Sequence, residues 1–443
     1  MMIYKTLLIS AIFLTLQEVN AQQVLKMSLK DATELAITSN WQVKKAEQNL
    51  GVATSELRLA NSVFLPSINL SETYMTTNDP LSAFGFKLQQ QVTSAEDFNP
   101  TLLNEPGSVD NFKTRLYAEQ PIINMDGITA RKAASTGIQA SEFNLTWTKR
   151  LMVLQAKNLY FRLQLAYEQA KVLESSLGAA TANYKVANDL FDQDLIHKAD
   201  LLATELRLTE IESATIAAQN QIYDVNAELT HFLGLDQAVT IEPTDPISKV
   251  EIESAYLEIS EVPQDRSDLR ALSLQLKASN QLLKSQKGSM LPRLNAFGSY
   301  EWNDKSLFGT GADNYLVGAK LEWNIFKGGK NLANIQKATY QKNLAEIQYK
   351  EKVSGSQRDL SKVQARIALV KKQVDLSALA VEQAEETFKV RQNRFEEGLE
   401  RTADVLQAES NLLTKRMNHL QTMNEFQQLV FKLEMLLEQE LTL

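Results

Sequence analysis

A chain of 443 residues without cysteine can hold neither disulfides nor thiol nucleophiles nor thiolate metal sites, and a lipid anchor on an N-terminal cysteine is excluded with them. Its formal charge of -8 is mild and its acidic and basic side chains are interleaved, which is not the footprint of a nucleic-acid binder. No nucleic-acid partner is expected.

At the N terminus, Lys5, an apolar run from Leu7 to Leu16, and Val19-Asn20-Ala21 ahead of Gln22-Gln23 give the three zones of a secretory signal peptide, with the mature chain expected to begin at Gln22. That run is too short to span a bilayer. No later stretch approaches the roughly 20 uninterrupted apolar residues a membrane helix needs, so any membrane crossing must use strands.

All nine prolines fall in two windows, Pro66 to Pro121 and Pro243 to Pro292, leaving residues 122 to 242 and 293 to 443 without one. Proline inside a helix costs about 3 kcal/mol or more, so such long gaps permit very long helices. The hydrophobic period calls for them. Leu360, Ile367, Val374, Val381, Phe388 and Phe395 recur every seven residues, with Val363 and Val370 between them, and Leu208, Ile211, Thr215, Ala218, Ile222, Val225, Leu229 and Phe232 alternate steps of three and four. The pattern predicts helices from near Gly127 to Asp189 and from near Gly329 to Phe395, each on the order of 90 Å long at about 1.5 Å per residue. Shorter helical segments are predicted at 29 to 64, 199 to 233, 266 to 290 and 402 to 440.

An offset of 204 superposes Tyr184-Lys185-Val186 on Phe388-Lys389-Val390, Phe191 on Phe395, Ala199-Asp200 on Ala403-Asp404 and Glu205 on Glu409. It also places Ala156, Leu163, Ala170, Leu177, Tyr184 and Phe191 on the seven-residue seam. Leu65-Pro66 recurs as Leu291-Pro292, so the chain divides into a signal peptide (1–21), a first repeat (22–234) with strand hairpin 67–120, a connecting equatorial segment (235–265), and a second repeat (266–443) with strand hairpin 293–324.

Between the breaks the period changes from seven to two, as in strands with one lipid and one aqueous face. Leu294, Ala296, Gly298, Tyr300 and Trp302 alternate with Arg293, Asn295, Phe297, Ser299 and Glu301; Tyr315, Val317, Ala319, Leu321 and Trp323 form the matching apolar set of the next strand, with Phe297 and Leu316 blurring the polar side. In a hairpin, Trp302 and Tyr315 meet near the loop end and Trp323 lies at the other, the placing of two aromatic girdles at the membrane interfaces. The first pair, 67 to 76 and 111 to 120, carries Glu72 on its apolar face and needs Lys113, Arg115 and Glu119 in water. Four strands cannot close a barrel, and an open edge in hydrocarbon costs several kcal/mol for each unpaired backbone group, so oligomerisation is expected. Three copies give twelve strands and room for a pore.

The two repeats together with Arg394-Phe395-Glu396-Glu397-Gly398-Leu399 and Ala403-Asp404-Val405-Leu406-Gln407-Ala408-Glu409 resemble the TolC-like family of outer-membrane efflux proteins over nearly the whole mature chain. The resemblance implies a mainly α fold of long coiled-coil helices with a small membrane β part, four strands per chain contributing to a trimeric 12-stranded barrel. It implies a homotrimer in outer-membrane lipid, with its helical domain in the periplasm, docked to a periplasmic membrane-fusion adaptor and an inner-membrane pump. By the same resemblance, Leu195, Gly398 and Leu399 are candidates for adaptor contact at the periplasmic tips, and Asp200 and Asp404 for the ring at the periplasmic entrance. The sequence departs from the family pattern at Asp194, which stands where the second repeat has Gly398, at Gln407 in place of a second entrance acid, and at Glu400 in place of a basic bridging residue.

Simpler readings stand beside these. Asp200 and Asp404 cap helix N-termini, Gly398 is a left-handed turn residue, and Leu195 and Leu399 are buried turn anchors. Gly309-Thr310-Gly311 and Gly328-Gly329 are loop and break glycines, while Leu81, Phe84 and Phe86 either fold over a pore mouth or pack within their loop. His197, His231 and His419 lie apart without metal-ligand spacing, and no nucleophile triad or phosphate loop is present. Neither enzyme, cofactor nor metal is expected. The rival to a passive export duct is a periplasmic coiled-coil spacer.

Overall fold

The computed structural model describes residues 23–236, 238–246 and 252–439. The expected signal peptide lies outside them, as does part of the connecting segment. In chain order the elements are β1 (Gln23–Met27), α1 (Leu29–Thr38), α2 (Trp41–Ser62), β2 (Ser67–Thr77), α3 (Pro80–Gln89), a short 3-10 turn (Ala95–Phe98), α4 (Pro100–Asn104), β3 (Val109–Ile123), α5 (Met125–Asp192), α6 (Lys198–Leu233), β4 (Val239–Pro243), α7 (Ser254–Leu257), α8 (Ser267–Gly288), β5 (Arg293–Asp304), β6 (Ala312–Glu322), α9 (Lys330–Glu396) and α10 (Thr402–Leu437). The chain is thus mostly helical with a few strands. None of the described helices is long and apolar enough to cross a membrane.

The long helices have 68 and 67 residues and are followed by two of 36 each. Their starts are fixed locally. Asn124 accepts a hydrogen bond from the Gly127 amide at 3.0 Å, capping α5 three residues upstream of its expected start region. Before α9, Gly328 and Gly329 both take positive φ, 58° and 80°, a pair that only glycine adopts without strain. The segment expected to run unbroken from 29 to 64 is instead two helices. Asn40 interrupts it, accepting from the Gln42 amide at 2.8 Å and donating to the Phe232 carbonyl at 2.8 Å, so one side chain ends α1, starts α2 and ties both to α6.

Two compact units divide the fold. One gathers the described residues of Met1–Lys44, Lys149–Ser260 and Leu360–Leu443. Its strands β1 and β4 pair in parallel, Gln23 opposite Val239 through Met27 opposite Pro243. The pairing is fastened by Tyr160, whose hydroxyl lies 2.6 Å from Asp245 and 3.0 Å from the Met27 carbonyl, and burial pushes that phenol well above its usual range. Along α9 the seam holds, with Leu360, Val363, Ile367, Val370, Val374, Phe388 and Phe395 buried and Val381 half-buried. Along α5 it holds at Ala156, Leu163 and Ala170, but Leu177, Tyr184 and Phe191 are only half-buried, contrary to expectation. Leu173, Ala180 and Ala187 are buried in their place.

The other unit comprises Lys45–Thr148 and Glu261–Asp359 and contains all four of the remaining strands. They form one antiparallel sheet in the order β2-β3-β5-β6. The two hairpins are therefore joined through β3 and β5, and β2 and β6 are free edges. In the same unit Arg266, 1% exposed, holds Asp268 at 2.6 Å and Ser356 at 2.5 Å, with its guanidinium 5.2 Å from the Trp147 ring centre. This buried cluster ties α8 to α5 and α9.

Candidate functional site

The register assigns every strand residue to a face. Leu70, Leu116, Tyr300 and Tyr315 stand in one row across all four strands, and Ile68, Ala118, Gly298 and Val317 in another. On this face Ile68, Leu70, Tyr315, Val317 and Leu321 are at least 67% exposed. The opposite face carries the polar set. There Glu301 lies 3.3 Å from Lys113 and 3.0 Å from Arg115, while Asn295 donates to Glu119 at 2.6 Å.

The two residues that blur the polar pattern have different accounts. The Phe297 ring lies over Gly318, where an added Cβ would meet the ring's Cζ at 2.9 Å, and it stacks on Tyr117 with centroids 6.4 Å apart. Leu316 is 56% exposed, and nothing in the single chain covers it. Glu72, the acid on the apolar face, shares a row with Thr114, Trp302 and Asp313 at the loop end. It accepts from the Thr114 hydroxyl and from the Phe308 amide at 3.3 Å.

The loop end of the sheet holds more aromatic rings than the sequence indicated. Trp302 and Tyr315 both lie at the loop end, but they are not opposite one another: Trp302 pairs with Asp313, and Tyr315 with Tyr300. The strands continue past their expected ends, to Asp304 and from Ala312, which shifts the crossing point toward the loop. Tyr300, 4.8 Å from the Trp302 ring, and Tyr74, 4.8 Å from Phe112, lie at the same end. Each tyrosine hydroxyl donates to an aspartate, Asp313 and Asp110 respectively. Trp323 lies at the other end, just outside β6 and 60% exposed, with its indole N–H donating to the Met290 carbonyl at 2.9 Å. β3 extends to Ile123 and breaks register between Pro121 and Ile123, since proline has no amide for the ladder.

The hairpin tips belong to the helical unit. Asp194 and Gly398 both take left-handed backbone, φ 59° and 71°. Their hydrogen bonds match as well: the amides of Asp194 and Leu195 donate to the carbonyls of Phe191 and Leu190, and those of Gly398 and Leu399 to Phe395 and Arg394. Both are helix-ending turns of the Schellman kind. Leu195 and Leu399 are 65% and 64% exposed, so neither is the buried turn anchor of the simpler reading. Ile196 and Leu201 do that work, packing on a cluster of Phe388, Phe395, Val405 and Leu412.

The entrance candidates have unlike surroundings. Asp200 accepts from the His197 amide at 3.3 Å, a capping contact. Asp404 lies 2.8 Å from Arg401, which holds the guanidinium above its usual value, and 3.6 Å from Arg391. Glu400, which stands where the family pattern has a basic residue, takes Arg391 at 3.0 Å and Arg394 at 2.9 Å. The second tip is thereby cross-linked by charge. Farther along the helices, Glu409 of α10 is 3% exposed and accepts from Asn183 of α5 at 2.9 Å and Arg207 of α6 at 3.1 Å. Burial raises its carboxyl above the usual range, against the lowering pull of Asn183 and Arg207. Among the described residues, no three His, Cys, Asp or Glu side chains gather where a metal ion could be held.

The family model of the outer membrane efflux proteins matches residues 32–235 and 259–437. The chain belongs to that family. The probable outer membrane lipoprotein SilC of Salmonella typhimurium is 26% identical over 272 residues, covering 59% of this chain and 58% of that protein. The cation efflux system protein CusC of Escherichia coli K12 is 23% identical over 291 residues, covering 62% of each. These matches span less than two thirds of either relative's length. Among solved family folds, the Campylobacter jejuni CmeC outer membrane channel superposes with a TM-score of 0.78 at 16% identity, covering 92% of this chain and 85% of that one. VceC of Vibrio cholerae gives 0.78 at 18%, covering 92% and 95%. The likeness is one of fold.

Proposed function

We propose that this efflux-family chain is an outer-membrane channel, three copies of which close a twelve-stranded barrel and continue into a periplasmic helical duct. The observation that carries the reading is the four-stranded sheet with one apolar face and two unpaired edges, β2 and β6. In hydrocarbon such edges demand partners, and identical copies supply them by pairing β6 of one with β2 of the next. Bare apolar side chains on the helices support the same assembly. Tyr340, Leu344 and Ile347 on α9, and Leu202, Leu206, Ile216 and Tyr223 on α6, are all at least 50% exposed in the single chain.

In this reading Tyr74, Tyr300, Trp302 and Tyr315 meet one lipid interface and Trp323 the other. In the same reading the equivalent tips of the two repeats, with Leu195, Gly398 and Leu399, lie at the periplasmic end, where a membrane-fusion adaptor linked to an inner-membrane pump docks, as in a tripartite efflux or type I secretion system. Asp200 and Asp404 face the entrance. The duct is passive, with energy supplied by its partners and no catalytic step of its own. Purified protein added to a planar bilayer should give discrete conductance steps and run as a trimer before heating. An inert membrane, or recovery from cells without detergent, would favour the spacer.

A further inference from the structure

The residues between β2 and β3 do more than connect them. Residues 80–104 fold as α3, the 3-10 turn and α4, with Ala83 buried, Phe84 edge-on to Phe98 at 5.4 Å and Lys87 paired to Asp97 at 2.6 Å. That ammonium and the Ser94 amide hold the Asp97 carboxyl down at about 2, so the carboxylate stays charged at any physiological pH. The folded segment is pinned to the sheet. Gln90, 4% exposed, donates to the Asp110 carbonyl at 2.7 Å and to the Asn111 side chain at 3.0 Å, and Asn111 donates to Asn303 at 3.0 Å. Asn111 and Asn303 are fully buried. These three hydrogen bonds tie the folded segment to β3 and β5, with Gln90 Oε1 and Asn303 Nδ2 left unpartnered in the single chain.

The face matters. Asn111 and Asn303 share the side of the sheet that carries Lys113, Arg115 and Glu301, not the side that carries Leu70 and Val317. Resting on the channel reading above, in which the polar face lines the lumen, we propose that residues 80–104 form a size-selecting constriction at the extracellular exit, built from one segment per copy. Leu81, Leu88, Phe98 and Leu102 are 83%, 51%, 61% and 50% exposed in the single chain. A wall of strands encloses that side, so the partners available to these side chains are the same segments of the two neighbouring copies. The long first loop is thus an inward-folded collar, and the width it leaves limits what can pass outward.

The absence of native cysteine makes the test direct, because Lys320→Cys, on the polar face of β6, places a single thiol in the lumen. A small methanethiosulfonate and a bulky polyethylene-glycol maleimide are applied to intact cells. The comparison sets the unaltered collar against three variants: residues 81–104 replaced by a short Gly-Ser link, Gln90→Ala, and a quadruple serine variant at Leu81, Leu88, Phe98 and Leu102. The collar predicts labelling by the small reagent in all, and by the bulky one only once the segment is removed, unpinned or made polar. Equal bulky labelling with the collar intact overturns the proposal and leaves the channel standing. If neither reagent reaches the introduced thiol in any form, the lumen assignment fails and the collar with it.

Discussion

Arg207 of α6 and Glu409 of α10 meet in the interior at 3.1 Å, while Glu205, the acid 204 residues before Glu409, is exposed. The pair joins the first helical hairpin to the second, and Asn183 adds a contact from α5 at 2.9 Å. Truncating one partner of a buried pair leaves the other charge uncompensated, at about 3 to 5 kcal/mol. Glu409→Ala should therefore lower the thermal midpoint sharply, and Glu205→Ala should leave it almost unchanged.

The same carboxylate fixes a pH dependence. Its folded value is raised above 4.5, chiefly by burial. Through the window from that unfolded value up to the folded one, the folded chain retains a proton that the unfolded chain has lost. The group's contribution to stability therefore falls as pH rises through the window and is level above it. Glutamine cannot lose that proton, so Glu409→Gln should flatten the fall in unfolding midpoints measured across that range.

Asp194 carries the left-handed backbone that Gly398 carries at the equivalent tip, with φ of 59° against 71°. A side chain in that conformation costs about 1 to 2 kcal/mol. Asp194→Gly should stabilise by up to that amount, and Gly398→Ala should destabilise similarly. No atom lies within 4 Å of a Cβ added at Gly398, so that cost is conformational and not steric. Denaturant midpoints measure both.

Because Leu195 and Leu399 are exposed, Leu195→Asp with Leu399→Asp should change stability by no more than about 0.5 kcal/mol each. If these tips meet the adaptor, the double variant should still form trimers while losing adaptor capture and efflux in cells. Retained capture would remove them from the docking surface.

For the entrance, replacing Asp200 and Asp404 together by alanine should alter closed-state conductance or its block by cations in planar bilayers. Replacing Asp404 also strips Arg401 of its partner at 2.8 Å. Unchanged currents would leave Asp200 as a helix cap and Asp404 as the partner of Arg401.

Much of this architecture was written in local pattern. The absence of proline from 122 to 242 and from 293 to 443, with the seven-residue seam, located the long helices, and the two-residue alternation from Leu294 to Trp302 gave the correct faces of the sheet. What escaped was non-local. β1 was missed because five residues paired in parallel with β4 carry no turn or alternation to mark them. The cut at Asn40 depends on the Phe232 carbonyl, far along the chain. The partner of Phe297 is Gly318, an empty place that only the register reveals. Nor could repeat symmetry distinguish buried Glu409 from exposed Glu205, since the two share one motif and differ only in what surrounds them.

The parallel pairing of β1 with β4 bears on how the protein matures. Next to it, the Leu29 amide binds Asp245 across 216 residues at 2.7 Å, so the earliest strand made waits for its mate until nearly half the polypeptide has followed. During that interval a short adhesive ribbon stays unsatisfied. The clasp can close only once residues 239–245 have joined β1, an order set by chain connectivity and not by local propensity.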